Sequence, residues 1–210
     1  MNIITTISAG LSNPSSTSRL TKSIENEIHN QHSDTKINSY ELKEYGHEIL
    51  DRMFTGFNSE HLDNMIKTVE QSDGLILNTP IFNTGPSGLF KSFLDILEPT
   101  KFDGMPVVLA ATGGSERHSL SVEYNIRPIM TYFRMEPTTT SIYASSNDWA
   151  LNGEDSLSRR IERAVAELSS RLNNTTASHK KEVLDEFDPA NYLGEGKSFA
   201  DLLRTSNYHV

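Results

Sequence analysis

The chain has 210 residues, 36% of them hydrophobic and 22% charged, with no cysteine and a formal net charge of -9. That is enough for one well-filled core, and the acidic balance without a dense Lys/Arg patch argues against nucleic acid or an anionic membrane as partner. Lack of cysteine excludes a disulfide framework and a thiolate metal site, no apolar run reaches the roughly 18 residues of a membrane span, and MNIITTISAG resembles no signal peptide, so a cytoplasmic protein is expected.

The first apolar stretch, Asn2–Ser8, predicts a strand; SAGLSNPSSTS (8–18) follows, then a helical pattern over Ser16–His29. Lys36–Leu42 predicts a second strand, and Gly46–Phe57 is ambiguous between loop and helix. Leu62, Met65, Ile66 and Val69 recur at helical spacing within Ser59–Gln71. Gly74–Thr79 reads as the third strand, TPIFNTGPSG (79–88) as a loop, and Ser87–Leu97 as a helix with Leu89, Phe90, Phe93, Leu94 and Leu97 on one face. Pro106–Ala111 is the fourth strand, followed by TGGSERH (112–118) and a helix over Leu120–Phe133 that Pro128 should bend. Thr138–Tyr143 is the fifth strand. Leu157, Ile161, Ala164, Val165, Leu168 and Leu172 then mark the clearest amphipathic helix. Beyond it the chain turns polar, so a domain over 1–174 and a polar tail over 175–210 are expected.

Strands that read as nearly continuous apolar runs, such as Leu75-Ile76-Leu77 and Val107 to Ala111, are those of a parallel sheet buried on both faces. Alternation of strand and helix puts helices on both sides of that sheet. The expected fold is therefore a flavodoxin-like α/β three-layer sandwich with five parallel strands in the order 2-1-3-4-5; a Rossmann half-sheet is the alternative. In the first order, the loops after strands 1, 3 and 4 converge where the strand order reverses, the place ligands occupy in open α/β sheets.

Those three loops are the least generic in the chain. The first has neither a P-loop nor a G-x-G-x-x-G fingerprint, but Ser8, Ser16, Thr17 and Ser18 offer hydroxyls beside a helix N-terminus, which suits a terminal phosphate monoester. It reads equally as one capping serine among solvated neighbours. In the second, Pro80, Asn83, Gly85, Pro86 and Gly88 expose backbone amides, and Phe82 offers an aromatic face. Thr112-Gly113-Gly114 lets a ligand approach the backbone. The histidines are scattered, with no metal-site spacing.

Together, SAGLSNPSSTSRL (8–20), TPIFNTGPSGLFKSFLD (79–95) and ATGGSERHSLSVEYNIRP (111–128) resemble the flavodoxin-like NAD(P)H-dependent FMN reductases, especially those that supply reduced flavin to two-component monooxygenases of the alkanesulfonate type. The resemblance runs from about Asn2 to Leu172. It implies FMN and NADPH (or NADH) as cofactors, phosphate contacts at Ser8, Ser16 and Ser18, further cofactor contacts from Leu11 and Thr17, and ring contacts from Pro80, Ile81, Phe82, Asn83, Thr112, Gly113 and Gly114. Relatives with G-S-x-R at the first loop bring an arginine to the phosphate; here the run is Ser8-Ala9-Gly10-Leu11, and Arg19 stands further on, within the helix. Arg117 is implied as a contact for a nicotinamide-nucleotide phosphate. No catalytic side chain is implied, because the flavin carries the chemistry. The resemblance also implies a homodimer or homotetramer, with Phe93 and Tyr124 at the interface, and a flavin-dependent monooxygenase as partner. A tight-FMN quinone or azo reductase and a flavodoxin-like electron carrier are the other readings.

Overall fold

The computed structural model describes residues 2–149 and 154–175; the stretch expected as a tail lies, from residue 176 on, outside the described residues. The chain passes through β1 (Ile3–Ser8), α1 (Ser16–Gln31), β2 (Lys36–Glu41), α2 (Gly46–Thr55), α3 (Glu60–Glu70), β3 (Gly74–Phe82) and β4 (Gly85–Pro86). It continues through α4 (Gly88–Asp95), β5 (Pro106–Thr112), α5 (Arg127–Tyr132), β6 (Glu136–Pro137), β7 (Ile142–Ala144) and α6 (Glu154–Thr175). The strands run β2-β1-β3-β5 in parallel, and β6 and β7 both pair with β5 in parallel as two pieces of the far edge. Counted as five strands, this is the flavodoxin-like order 2-1-3-4-5.

The two-residue period of the pleat divides the apolar runs between two cores. Ile4, Ile76, Val108, Ala110 and Ile142 meet α1 and α6 through Leu20, Ile24, Ile28, Ile161, Val165 and Leu168. Ile7, Leu75, Leu77, Val107 and Leu109 meet the other layer through Ile49, Leu62, Met65, Phe90 and Phe93. Both faces of the sheet are covered, which is why these strands do not alternate apolar and polar residues. Serines start three of the helices: the hydroxyls of Ser15, Ser59 and Ser87 accept from the N–H groups of Ser18, Leu62 and Phe90.

The structure departs from the expected elements in five places. Gly46–Phe57 is mostly helix, entered through a 3-10 turn at Leu42–Tyr45 and stopped by Gly56 at φ 81°. β3 runs on to Phe82 and turns back as β4 through Asn83 (φ 48°) and Thr84 (φ 72°), a two-residue hairpin inside what reads as a plain loop. The helix expected over Leu120–Phe133 is broken: Val122–Ile126 is a π turn whose C-cap, Arg127, donates to Val122, and Pro128 stands in the first turn of α5 rather than at a mid-helix bend. The fifth strand is interrupted, because Pro137 has no N–H to give the ladder and residues 138–141 bulge out between the pairings Val107↔Pro137 and Ala110↔Ile142. Finally, Phe90, Phe93 and Leu94 on α4, and Leu97 just beyond it, are all buried within the chain's own core. Phe93 is fully buried, so it is not an interface residue; the width of that apolar face is used by the sheet and by Phe102 and Phe133.

Candidate flavin-binding site

The route from β1 into α1 is set by small residues. Ala9 donates its N–H to the Asn78 carbonyl at 2.8 Å, so the loop leaves β1 still tied to β3. A Cβ on Gly10 would stand 2.2 Å from Ser15 Oγ, so the loop can fold back over the helix cap only with glycine there. Ser15 then takes the Ser18 N–H on its hydroxyl at 3.2 Å and the Arg19 N–H on its carbonyl at 3.0 Å. Helix geometry gives the N–H groups of Ser16 and Thr17 no acceptor within α1, and they stand at the positive end of its dipole. The first turn is clamped from below. Thr17 and Thr112 share a buried hydroxyl–hydroxyl bond of 2.8 Å, and Asn78 Nδ2 donates to the Thr17 carbonyl and the Thr21 hydroxyl at 2.8 and 2.9 Å.

A cavity of about 340 Å³ opens at the carboxyl ends of β1, β3 and β5, where the strand order reverses. Leu11, Ser16 and Thr17 line it from the first loop, Pro80, Ile81 and Phe82 from the second, and Thr112, Gly113 and Gly114 from the third. Four of the expected contacts, Ser8, Ser18, Asn83 and Arg117, do not line it. Ser8 Oγ is turned to Ser18 Oγ at 3.4 Å and donates to Glu41 Oε2 at 3.1 Å, which occupies both serines on the β2 side of α1. A carboxylate there repels an anion, and neither serine lines the cavity. Asn83 is spent on the left-handed turn of the hairpin, whose tip is held by Asn125 Nδ2 donating to the Thr84 carbonyl at 2.7 Å. Arg117 is exposed and does not line the cavity either; its backbone N–H donates to Ser115 Oγ at 3.2 Å.

The two glycines of the third loop differ in purpose. A Cβ on Gly113 would stand 2.2 Å from the Tyr143 hydroxyl, which donates to the Ser115 carbonyl at 2.5 Å, so the missing side chain makes room for the tyrosine. Burial, with Asp148 and Glu116 nearby, holds the Tyr143 phenol above its ordinary pKa and keeps it a donor. Gly114 has open space where its Cβ would be, and there the backbone is bare to the cavity. Ser12 and Ser15 of the first loop complete the lining together with Ser146 and Trp149, which lie outside the three loops. Their signal is positional: Ser146 and the chain's single tryptophan follow the fifth strand at its carboxyl end.

The lining thus runs from hydroxyls and helix amides, through Leu11 and Phe82, to bare backbone at Gly114. Phe82 is 48% exposed at the hairpin, a face available to a flat ring. None of the described lining residues is ionisable. A larger cleft of about 550 Å³ is lined by Glu116, Glu123, Tyr143, Asp148 and Arg160 among others. It stands at the far edge strand rather than at the reversal of strand order, and Glu123 and Asp148 are already paired with Arg127 and Arg160.

A doubly wound parallel sheet with hydroxyls, a helix N-terminus and an exposed aromatic at the reversal of strand order defines a flavodoxin-like α/β protein. The chain belongs to the NADPH-dependent FMN reductase family, whose family model matches residues 2–150. It is 34% identical over 122 residues to the NADH-dependent FMN reductase SfnF of Pseudomonas putida, an alignment covering 57% of this chain and 66% of that one. With the NADH-dependent FMN reductase SfnE of the same organism it shares 30% identity over 150 residues, covering 71% of this chain and 80% of that one. An oxidoreductase structure from Corynebacterium diphtheriae superposes with a TM-score of 0.79 at 35% identity, covering 83% of this chain and 98% of that one.

Proposed function

We propose that the protein is an NAD(P)H:FMN oxidoreductase. The observation that carries this reading is a cavity with an anion-binding end, an aromatic face and bare backbone, lined among the described residues by no acid, base or nucleophile beyond hydroxyls. Such a lining orients a ligand and leaves the bond-making to it. When bound, FMN supplies the redox chemistry, accepting a hydride from the nicotinamide of NADPH or NADH and a proton from solvent. Ser12, Ser16 and the first amides of α1 would hold the phosphate; Leu11, Pro80, Ile81 and Phe82 would seat the ring; the backbone at Gly114 would stabilise negative charge on the reduced ring.

The first loop places Leu11 in the cavity and no arginine at that point, which favours modest phosphate affinity and release of the reduced flavin to a partner, for which we propose a flavin-dependent monooxygenase. We further propose a cytoplasmic homodimer or homotetramer in which residues 1–174 form the reductase domain and residues 175–210 a polar tail. Among the described residues no helix is long and apolar enough to cross a membrane.

The test is oxidation of NADPH and of NADH by the purified full chain, with and without added FMN. Rapid oxidation that needs FMN is expected. No oxidation of either nucleotide at saturating FMN overturns the reductase reading and leaves an electron carrier.

A further inference from the structure

The turn Ser146–Trp149, a short 3-10 segment after β7, is fastened at each residue. Ser146 Oγ donates to the Gly114 carbonyl and Asn147 Nδ2 to Glu116 Oε1, both at 3.2 Å. Asp148 accepts from the N–H and the hydroxyl of Ser145 at 2.8 Å each, and pairs with Arg160 of α6. The Trp149 ring packs against the α1–α6 core and carries the Arg19 guanidinium on its face, 4.4 Å from ring centroid to Cζ. Arg19 belongs to the first turns of α1, so the indole stands at the anion end of the cavity, which it lines together with Ser12, Ser15 and Ser16.

We infer that Trp149 is a specificity-determining residue: its indole, set in place by Arg19, closes the phosphate end of the cavity around a terminal monoester and rejects a dinucleotide flavin, whose chain continues past that phosphate. This rests on the flavin reading above. Two physical effects act together. An indole fastened by a cation–π contact is a stiff wall, and a clash against a wall separates ligands that the attractive contacts alone would accept equally. A phosphate monoester is also close to doubly charged at neutral pH, so the helix amides favour it over a singly charged diester-like phosphate.

The test compares FMN, FAD and riboflavin binding to the full-length wild type, Trp149→Phe and Trp149→Ala, each checked for an unchanged melting profile. Trp149 is the only tryptophan, so its emission should be quenched when FMN enters the wild-type cavity. The wild type should prefer FMN to FAD; Trp149→Ala should narrow that preference about tenfold or more, chiefly by tightening FAD, and Trp149→Phe should keep most of it. Equal wild-type affinity for FMN and FAD overturns the proposal. So does a Trp149→Ala variant that weakens all three flavins in proportion. If the wild type binds no flavin and its emission does not change, the flavin reading itself falls, and this proposal with it.

Discussion

Ser12 and Ser16 line the cavity, whereas Ser8 and Ser18 turn to each other and to Glu41. The two groups should therefore separate by mutation. Hydrogen bonds to a charged group are worth about 1.5–3 kcal/mol each, or roughly ten- to a hundredfold in affinity. Changing Ser12 and Ser16 together to Ala should weaken FMN strongly and riboflavin, which lacks the phosphate, very little. Ser8→Ala with Ser18→Ala should leave the FMN-to-riboflavin ratio unchanged; fluorescence titration of both flavins decides it, and a ratio that moves only with the second pair would relocate the phosphate. Gly10 gives a sterically different case. Gly10→Ala must push Ser15 aside, so it should remove the α1 cap, costing about 1 kcal/mol, or roughly 2–4 °C in Tm for a chain of this size. It should weaken FMN as well. A Gly10→Ala variant that melts and binds like wild type would show that the loop relaxes around the methyl group.

At the scale of elements, the edge piece 138–145 is held less by its ladder than by carboxylates. Glu167 accepts from the Thr140 N–H at 2.9 Å and its hydroxyl at 2.6 Å; Glu123 accepts from Ser141 Oγ at 2.6 Å; Asp148 accepts from Ser145. The Arg127 guanidinium holds Glu123 below its ordinary pKa, with Ser141 adding to it against burial. Burial alone would raise Asp148 and Glu167, but hydrogen bonds from Ser145 and Thr140, with Arg160 and Arg171 nearby, bring both below their ordinary values. A depressed carboxylate pKa adds stability that is present above the unfolded value, about 4, and is lost as pH falls through the lower folded value. The Tm should therefore hold down to about pH 4–5 and drop below it. Glu167→Gln should lower Tm at neutral pH and flatten the acid limb; an acid limb identical to wild type would exclude this clamp.

The same region marks where sequence patterns stop being informative. Long-period signals transferred well: the strand order, the two cores and the three converging loops all follow from apolar spacing that packing then uses. What escaped were features set by tertiary hydrogen bonds. The bulge at 138–141 depends on Glu167, 27 residues beyond Thr140 in sequence, which carries no local mark of that role. The π turn at Val122–Ile126 follows from Pro128, which suggested a bend but not its kind. The hydroxyls of the first loop looked interchangeable, since only the position of Glu41 on β2 separates Ser8 and Ser18 from Ser12 and Ser16.

At the scale of the whole molecule, two stretches stand out among the described residues for apolar surface that the core does not use. Phe54 and Phe57, at the end of α2, are 86% and 79% exposed, and Leu120, Tyr124 and Tyr132, along the π turn and α5, are 61%, 73% and 74% exposed. Clusters of this kind mark association surfaces more often than chance solvent exposure does. Stable association needs on the order of 1,200–2,000 Å² in total, which a self-complementary patch reaches by being used twice about a two-fold axis. Tyr124 leads, because it stands in the π turn whose neighbour Asn125 holds the Phe82 hairpin, so contact there would brace the aromatic face of the cavity. Light scattering at micromolar concentration with FMN present should give a mass of two or four chains. Tyr124→Arg should shift that mass toward one chain and weaken FMN, while Phe54→Arg should do neither if α2 lies outside the interface. Because each copy carries a formal charge of -9, raising salt should screen the repulsion and strengthen association. A wild-type monomer under these conditions would remove the oligomer, and a Tyr124→Arg variant that stays assembled would move the interface away from the π turn.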